Sequence, residues 1–326
     1  MAQPTPSDVH VNVPLTNISI AFLQDQRQFI ADQVFPNIPV QQQANRYYTY
    51  DKNEWWRSQA EERAPATESA GSGFKVDNTP TYFCRTYAIH KDIDDQLRAN
   101  ADPVLDLDRD GTEFVSFQLL LKREKLWVTK YFGSGIWTGD QTGVAGAPGA
   151  NQFTQWSDYG ASTPIEDVRA QRRLIQLRTG RLPNVLVLGP TVYDKLVDHP
   201  DIIDRYKYTQ RGILTPELLA GVFDVDRVLI PGGVENTAAE NLSATLSFLY
   251  GKSALLAYAA PSPSLLQPSA GYTFSWTGYL GAGPGGNRIM RFRMQPLRSD
   301  RIEGEMSFDL KVVAVDCAVF FGTAVA

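Results

Sequence analysis

Two aromatic, strand-like runs constrain the chain more than any other feature. RYYTYDKNEWW occupies residues 46–56 and TYFCRTYAIHK occupies residues 81–91, and both alternate as β-strands do. Between them lies SQAEERAPATESAGSG, which is charged, small and without apolar periodicity. The three segments predict one long β-hairpin with an irregular tip. Because a hairpin with aromatic residues on both faces cannot bury itself, it needs another surface, on its own chain or on a neighbouring one.

Composition limits the class of protein. With 326 residues, 43% of them hydrophobic, the chain has enough apolar material for one large domain or two smaller ones. The net charge of −5 offers no broad basic face that wraps nucleic acid, and it leaves open a local basic patch on one side. Cys84 and Cys317 are the only cysteines, which excludes a disulfide-rich secreted scaffold. No secretory signal is visible at the N-terminus, and the apolar run 312–326 is too short to span a bilayer, so we expect a soluble, intracellular protein.

A long helix is predicted over residues 112–131. In TEFVSFQLLLKREKLWVTKY the apolar residues recur at helical spacing, and a charged stretch, Lys122 to Lys125, interrupts them midway. The side chains that we place on its main apolar face are Phe114, Phe117, Leu121, Val128 and Phe132.

The region that follows alternates helices with short apolar strands. Thr163-Pro164 and Thr215-Pro216 predict helix starts, and Gly180 predicts a helix end. VLVL at 185–188 and RVLI at 227–230 are typical of strands covered on both faces. These segments predict a compact α/β region over 164–265. From residue 271 onward strand patterns dominate, so the chain ends as a β-rich return.

The first 45 residues are polar and rich in glutamine. Two short apolar stretches, Ile18 to Leu23 and Val34 to Val40, lie among prolines and amides. An extended arm that packs on another surface and an ordinary flexible terminus explain this composition equally well.

DPVLDLDRDG at 102–111 matches the first half of a calcium-binding loop. Asp106, Asp108 and Asp110 have the spacing of the first ligands, but Phe117 stands where the closing bidentate Glu is required. We therefore expect the three aspartates to lie around the start of the long helix, where negative charge meets the positive end of the helix dipole.

Other catalytic or cofactor motifs are weak. GAGPGG at 281–286 matches a dinucleotide pattern, but a strand rather than a helix follows it, so we interpret it as a glycine-rich turn. His10, His90 and His199 have no partners at metal-ligand spacing and no adjacent nucleophile, and we interpret His199 as a cation at a helix end. This scarcity favours a protein without enzymatic activity, although residues distant in sequence remain free to meet in space.

Taken in order, the segments resemble the major capsid protein of tailed bacteriophages, whose HK97-like fold is shared with encapsulin shells. LTNISIAFLQDQRQFIADQVFPNIPV is similar to the arm of that family, and RYYTYDKNEWWR with TYFCRTYAIHKDI to its extended loop. RLPNVLVLGPTVYDKLVDHPDIIDRYKY and GILTPELLAGVFDVDRVLIPGG are similar to its axial domain, and the long helix to its spine helix.

The resemblance implies an α+β fold of the HK97-like kind. The implied units are an N-terminal arm (1–45), an extended β-hairpin loop (46–91), a peripheral domain with the spine helix (92–163), an axial domain (164–265) and a β-rich return to the peripheral domain (266–326).

The resemblance also implies a function: hexamers and pentamers of the chain form an icosahedral shell, assembled in the host cytoplasm and part of the virion, around double-stranded DNA. Portal, scaffolding and decoration proteins are further expected partners, and no cofactor, metal or membrane is expected. We expect the loop to contact the adjacent subunit through Trp55, Trp56, Arg57, Glu61, Glu62 and Arg63. Some members of that family cross-link their shells through Lys–Asn isopeptide bonds. Lys52 and Lys75 lie in the loop region here, but no partner asparagine can be assigned, so we do not predict this cross-link. An encapsulin-like compartment and, from a different class, an α/β enzyme built on 164–265 are the alternatives.

Overall fold

A computed structural model describes residues 24–101, 105–206, 215–263, 267–280 and 287–326. The helices in these ranges are α1 (Ala31–Val34), α2 (Lys52–Trp55), α3 (Asp95–Asn100), α4 (Leu107–Tyr131), α5 (Pro164–Thr179), α6 (Pro190–Val197), α7 (Pro200–Tyr206), α8 (Pro216–Phe223) and α9 (Thr277–Leu280). Residues 1–23 of the predicted arm and the GAGPGG turn at 281–286 lie outside the described residues.

The strands fall into two large sheets and several short pairs. They are β1 (Asn37–Val40), β2 (Ala44–Arg46), β3 (Thr49–Tyr50), β4 (Val76–Asp77), β5 (Thr81–Phe83), β6 (Arg85–Asp94), β7 (Gln141–Val144), β8 (Gln152–Thr154), β9 (Val185–Leu188), β10 (Arg227–Leu229), β11 (Val234–Asn236), β12 (Leu246–Phe248), β13 (Ala254–Ala257), β14 (Gly271–Trp276), β15 (Asn287–Met294), β16 (Ser299–Val312) and β17 (Ala318–Gly322).

The first large sheet is built around β16. Its order is β1-β14-β16-β15, with β6 also paired to β16 over ten residues, from Arg85 opposite Phe308 to Asp94 opposite Ser299. Only the β1–β14 pair is parallel. The long helix α4 packs on this sheet through Val115, Leu119 and Trp127, all buried with Ile302 and Met306. Helix and sheet together form one side of the main core.

The buried face of α4 differs from the predicted one. Val115, Leu119, Trp127 and Tyr131 are buried. Of the five predicted residues, Phe132 is buried and Phe114 is 44% exposed, and the other three are half-buried. The helix also begins at Leu107, five residues before the predicted start, because the Asp106 carboxylate accepts the backbone N–H of Arg109 and caps it. Packing on β16 therefore selects the face that contains Val115 and Leu119.

The second large sheet has the order β10-β9-β13-β17-β7-β8. Along β9, Val185 and Val187 face the core that contains α4, and Leu186 and Leu188 face the core formed with α5 to α8. Burial on both faces explains why VLVL in β9 has no polar alternation. The same prediction is wrong for RVLI, because β10 is the edge strand of the sheet, with Arg227 exposed and Val228 buried. Three strands of this sheet, β7, β8 and β17, lie outside residues 164–265, so the sheet extends beyond the predicted axial domain. The predicted domain boundaries stay a prediction.

The predicted hairpin forms two short antiparallel ladders. Ala44 pairs with Phe83, and Tyr50 pairs with Val76. The prediction of one strand over residues 46–56 is wrong at its end, because the Asp51 carboxylate accepts the N–H of Asn53 and begins α2. The returning strand also breaks at Cys84, after which β6 joins the large sheet.

Helix ends in the α/β region follow the predicted signals. Helices begin at Pro164 and Pro216, and α5 ends at Gly180, which has φ +66° in the left-handed region that glycine tolerates. Thr215 caps α8 through its hydroxyl, whereas Thr163 forms no side-chain cap on α5.

We predict that Gly304 sets the distance between α4 and the sheet. A Cβ at this position would lie 2.5 Å from Val115 Cγ1 and 2.8 Å from Leu119 Cδ1, both in the buried interface. Gly304→Ala should lower the free energy of unfolding by about 1–3 kcal/mol through overpacking. Gly146→Ala is the control, because its Cβ would meet nothing within 4 Å. Equal urea-unfolding midpoints for the two variants would contradict this.

Candidate assembly surface

The outer part of the hairpin carries an exposed aromatic cluster. Trp55 and Phe74 have ring centroids 5.3 Å apart, and Tyr50 lies 6.1 Å from each of them. Trp55 is 52% exposed and Phe74 is 58% exposed, so the cluster leaves much of its apolar area in water. A contiguous apolar patch on a projecting element is typical of a contact site for another macromolecule.

The six residues predicted to contact a neighbour all lie on this outer part of the hairpin. Trp55 closes α2 and Trp56 follows it, and both are 52% exposed. Arg57, Glu61, Glu62 and Arg63 continue along the exposed tip. The guanidinium of Arg63 donates to the carbonyl of Thr67 within the tip (2.6 Å). Their contact with a second subunit stays a prediction.

The base of the hairpin tip is bonded to other residues of the same chain. Lys52 Nζ lies 2.5 Å from Asp316 Oδ2 and donates to the carbonyl of Arg178 (3.2 Å). The ring of Trp56 lies against Gly180. A mainly apolar groove of about 910 Å³ separates the hairpin from the rest of the chain. The tip therefore projects from a fixed base.

A second functional element is the anchor of the arm on α4, made by a buried carboxylate. Glu124 has no exposed surface, and its two oxygens accept the backbone N–H groups of Ile30 and Ala31, each at 2.9 Å. The hydroxyl of Tyr250 also donates to Glu124. One side chain thus joins the root of the arm, the long helix and the segment before β13.

The residue before Glu124 reinforces this anchor. Arg123 is 2% exposed and forms an ion pair with Asp32 of α1. Its guanidinium also lies 5.1 Å from the ring centroid of Phe308, at cation–π distance. The charged stretch that interrupts the apolar pattern of α4 is therefore the attachment point of the arm, a role that the sequence reasoning missed.

Burial governs the ionisation of this anchor. It raises the pKa of Glu124, although the N–H groups of Ile30 and Ala31 and the hydroxyl of Tyr250 oppose the shift. Burial also raises the pKa of Tyr250 well above its usual range and lowers that of Arg123, whose ion pair with Asp32 opposes the shift. Each charge is costly to bury, so each depends on its hydrogen-bond partners.

The three aspartates of the calcium-like sequence serve the start of α4. Asp106 is its N-cap residue, and Asp108 and Asp110 lie in its first turn, as predicted. Asp108 also pairs with Arg98 (2.7 Å) and Arg291 (3.1 Å). Within the described ranges, no group of three or more His, Cys, Asp or Glu side chains could hold a metal ion.

The structure brings together one serine and one histidine that are 37 positions apart. Ser162 Oγ lies 2.9 Å from His199 Nε2, and both side chains are buried. His199 Nδ1 accepts the N–H of Asp201, so Nε2 carries the proton and donates to Ser162. Ser162 in turn donates to the carbonyl of Asp158. The pair therefore lacks the free base that would activate a nucleophile.

The interpretation of His199 as a helix-end cation is wrong. Burial lowers the pKa of its imidazole, and its carbonyl accepts the N–H groups of Ile202 and Ile203 at the start of α7. A neutral ring is required because Nδ1 is a hydrogen-bond acceptor.

The described part of the chain contains no helix with the length and apolar character needed to cross a membrane. Its two cysteines, Cys84 and Cys317, are free and buried.

Sequence comparisons relate the chain to proteins of phages. The family model of phage major capsid protein E matches residues 147–232. The major capsid protein of Pseudomonas phage JBD67 is 24% identical over 323 residues, covering 97% of each chain. That of Burkholderia phage BcepMu is 22% identical over 268 residues, covering 81% of this chain and 82% of the relative. The resemblance to phage major capsid proteins is thus confirmed.

Solved structures show the same fold at low sequence identity. A phage-related protein from Bordetella bronchiseptica RB50 aligns with TM-score 0.68 at 19% identity, covering 92% of this chain and 94% of that one. The capsid of cyanophage P-SCSP1u aligns with TM-score 0.59 at 13% identity, covering 98% and 95%. The SrpI encapsulin of Synechococcus elongatus aligns with TM-score 0.52 at 9% identity, covering 99% and 96%. The expected α+β, HK97-like fold is confirmed.

We predict that removing the Glu124 carboxylate destabilises the arm root. Glu124→Ala leaves the N–H groups of Ile30 and Ala31 without their buried acceptor, which should cost about 2–4 kcal/mol of unfolding free energy. Trypsin should also cut faster at the exposed Arg27. The control is Lys125→Ala, which removes only an exposed ion pair with Glu235 and should cost less than about 1 kcal/mol. Indistinguishable effects of the two variants would refute the anchor.

The pH dependence of the anchor follows from the raised pKa of Glu124. Because the folded chain binds this proton more tightly than the unfolded chain, the contribution to stability is full below the unfolded pKa. It is lost as pH rises through the folded pKa. The stability of wild type relative to Glu124→Gln should therefore increase from pH 8 to pH 5, measured by urea unfolding of the unassembled subunit. A difference that is constant, or larger at pH 8, would contradict the raised pKa.

Proposed function

We propose that this chain is the major capsid protein of a tailed phage and that many copies close into an icosahedral shell around the phage genome. The observation that carries the proposal is the agreement of two whole-length comparisons. Relatives that are phage major capsid proteins match up to 97% of the sequence, and a phage capsid structure covers 98% of it with the same fold.

The shape of the subunit supports a role in self-assembly. Tyr50, Trp55 and Phe74 form an apolar cluster on a projecting hairpin, and the root of that hairpin is fixed by Lys52 and Asp316. In the proposed shell this surface is covered by the next subunit, which removes the apolar area from water.

The six predicted contact residues divide into two kinds. Trp55 and Trp56 are the aromatic anchors, because large half-exposed rings gain most when a partner buries them. Arg57, Glu61, Glu62 and Arg63 surround them with both signs of charge and set the register on the adjacent subunit.

The remaining partners follow from the same proposal. A net charge of −5 suits a container that encloses double-stranded DNA without sequence specificity. Portal, scaffolding and decoration proteins are the other expected partners, and the assembled protein is a virion component made in the host cytoplasm.

The proposed role is structural rather than enzymatic. Ser162 and His199 have the residue types of a nucleophile and a base, but both are buried, the His199 proton is donated to Ser162, and the Ser162 proton is donated to the carbonyl of Asp158. They join the segment before α5 to the start of α7 and thereby hold the helical layer together.

An encapsulin-like compartment is the second candidate function. The observation that favours it is the SrpI encapsulin, which shares the fold over 99% of this chain. The content of purified particles separates the two candidates: nucleic acid packaged during phage infection supports the capsid, whereas a protein cargo supports the compartment.

Negative-stain microscopy of the expressed chain tests the function. We predict closed particles for the wild-type chain and soluble protein with impaired assembly when residues 58–73 are deleted. Replacing 58–73 with a Gly-Ser segment of equal length is the control, because it restores the span but not the side chains. Unchanged particles from the deletion would overturn the role of the loop. A wild-type chain that stays near 36.2 kDa under all assembly conditions would overturn the shell.

A further inference from the structure

The hairpin formed by β11 and β12 exposes three large apolar side chains. Leu242 is 70% exposed, Leu246 is 69% exposed and Phe248 is 49% exposed. Leu246 and Phe248 share one face of β12, and Leu242 lies in the loop that precedes it. An isolated two-stranded hairpin is marginally stable in water, so three exposed apolar residues on it need a compensating contact.

The base of this hairpin is bonded to Gln24 and to α4. Gln24 bonds both backbone groups of Val234, its amide donating to the carbonyl (2.6 Å) and its oxygen accepting the N–H (2.9 Å). Glu235 pairs with Lys125 of α4 (2.6 Å). The apolar face is therefore presented in a fixed direction, as a preorganised contact surface is.

A second exposed apolar stripe lies on α5 and just beyond it. Leu177 is 74% exposed, Leu182 is 43% exposed and Leu174 is 36% exposed. Leu174 and Leu177 are three positions apart and lie on neighbouring positions of one helix face. The opposite face of α5 is buried through Val168 and Ile175, so this stripe points away from the protein.

The two surfaces lie on opposite sides of the six-stranded sheet. The hairpin leads into Tyr250, which packs in the core with α4 and with Val185 and Val187 of β9. Helix α5 packs in the other core, with Leu186 and Leu188. A sheet and a helix layer of about 10 Å each separate the surfaces, so they cannot meet within one chain.

The charges of the two surfaces are complementary. Residues 232–250, which contain the hairpin, have two glutamates and no lysine or arginine. Residues 164–182, which contain α5 and Leu182, have five arginines and two acidic residues. Glu235 is already paired with Lys125 and Arg172 with Asp224, which reduces both net charges but leaves their signs unchanged. A contact between two hairpins therefore brings like charges together, whereas a contact with α5 brings opposite charges together.

We propose that the β11–β12 hairpin of one copy docks on the α5 stripe of the next copy, head to tail. Leu242, Leu246 and Phe248 then cover Leu174, Leu177 and Leu182. Two different patches on opposite sides of one chain form a heterologous interface, which closes into a ring when the rotation per copy permits. The inference rests on the proposed shell and names a contact that builds its capsomers, separate from the aromatic tip of the 46–91 hairpin.

Cross-linking with a short bis-maleimide tests the pairing. The double variant Leu177→Cys, Leu242→Cys should give a ladder of covalent oligomers above the dimer, because each copy offers one thiol to each neighbour. Cys84 and Cys317 do not compete, since both are fully buried and burial raises the pKa of each thiol to about 12. The matched control is Leu242→Cys with Leu297→Cys, which places the second thiol on an exposed leucine after β15.

The outcomes separate this inference from the proposed function. A ladder in the test variant, with none in the control, supports the head-to-tail contact. Closed particles without a ladder overturn the contact and leave the shell intact. Dimers alone, formed by the single variant Leu242→Cys, show a two-fold hairpin contact and also overturn it. A chain that stays monomeric and uncross-linked overturns both proposals.

A charge-exchange pair provides a test without cross-linking. Leu242→Lys places a cation against the arginines of α5 and should lower particle yield by about tenfold or more, as like charges at an interface do. Leu177→Asp in the same chain supplies the missing anion and should restore much of that yield. Far-ultraviolet circular dichroism checks that each variant is folded. Failure of the second substitution to restore assembly in a folded chain overturns the pairing.

Discussion

The buried carboxylate of Glu124 is the interaction on which the rest of the subunit depends. It lies in the C-terminal half of α4, and its two oxygens accept the backbone N–H groups of Ile30 and Ala31 at the root of the arm. Because Tyr250 bonds the same carboxylate, the arm, the long helix and the segment that enters β13 share one polar centre inside an apolar core. This polar centre stabilises the fold and also fixes the position of α4, because a shifted helix would leave buried polar groups without partners. Arg123 and Asp32 repeat the connection one residue away.

Around this fixed centre, two projecting hairpins carry several of the apolar residues that the subunit leaves exposed. The two cores bury apolar residues from strands of both large sheets. By contrast, Trp55 and Phe74 are exposed on one hairpin, and Leu242 and Leu246 are exposed on another. Each projection has a fixed base, at Lys52 and Asp316 in the first case and at Gln24 and Lys125 in the second. Rigid placement of unburied apolar surface is expected of a chain whose folding is completed by contacts with its own copies.

Local signals predicted much of this fold because their causes are local. The strand at 185–188, the start of α5 at Pro164 and its end at Gly180 each depend on residues within a few positions. The main errors arose where residues far away in the sequence determine the packing or the hydrogen bonds. Phe114 and Val115 both fit an apolar helix face, and only Gly304 on β16 shows which of the two packs closely. The partners of Glu124 lie 93 to 126 positions away, so the sequence revealed only a charged interruption in α4. The Ser162–His199 contact and the place of β17 beside β13 and β7 are non-local in the same way.

The central claim is that apolar side chains exposed on the single chain are buried between copies. An electron cryomicroscopy reconstruction of the assembled particle tests it most directly. We expect the side chains of Trp55, Trp56 and Leu242 to contact a neighbouring subunit, while the Glu124 anchor is retained within each subunit. Particles in which these three side chains face solvent, with other surfaces forming the contacts, would contradict it.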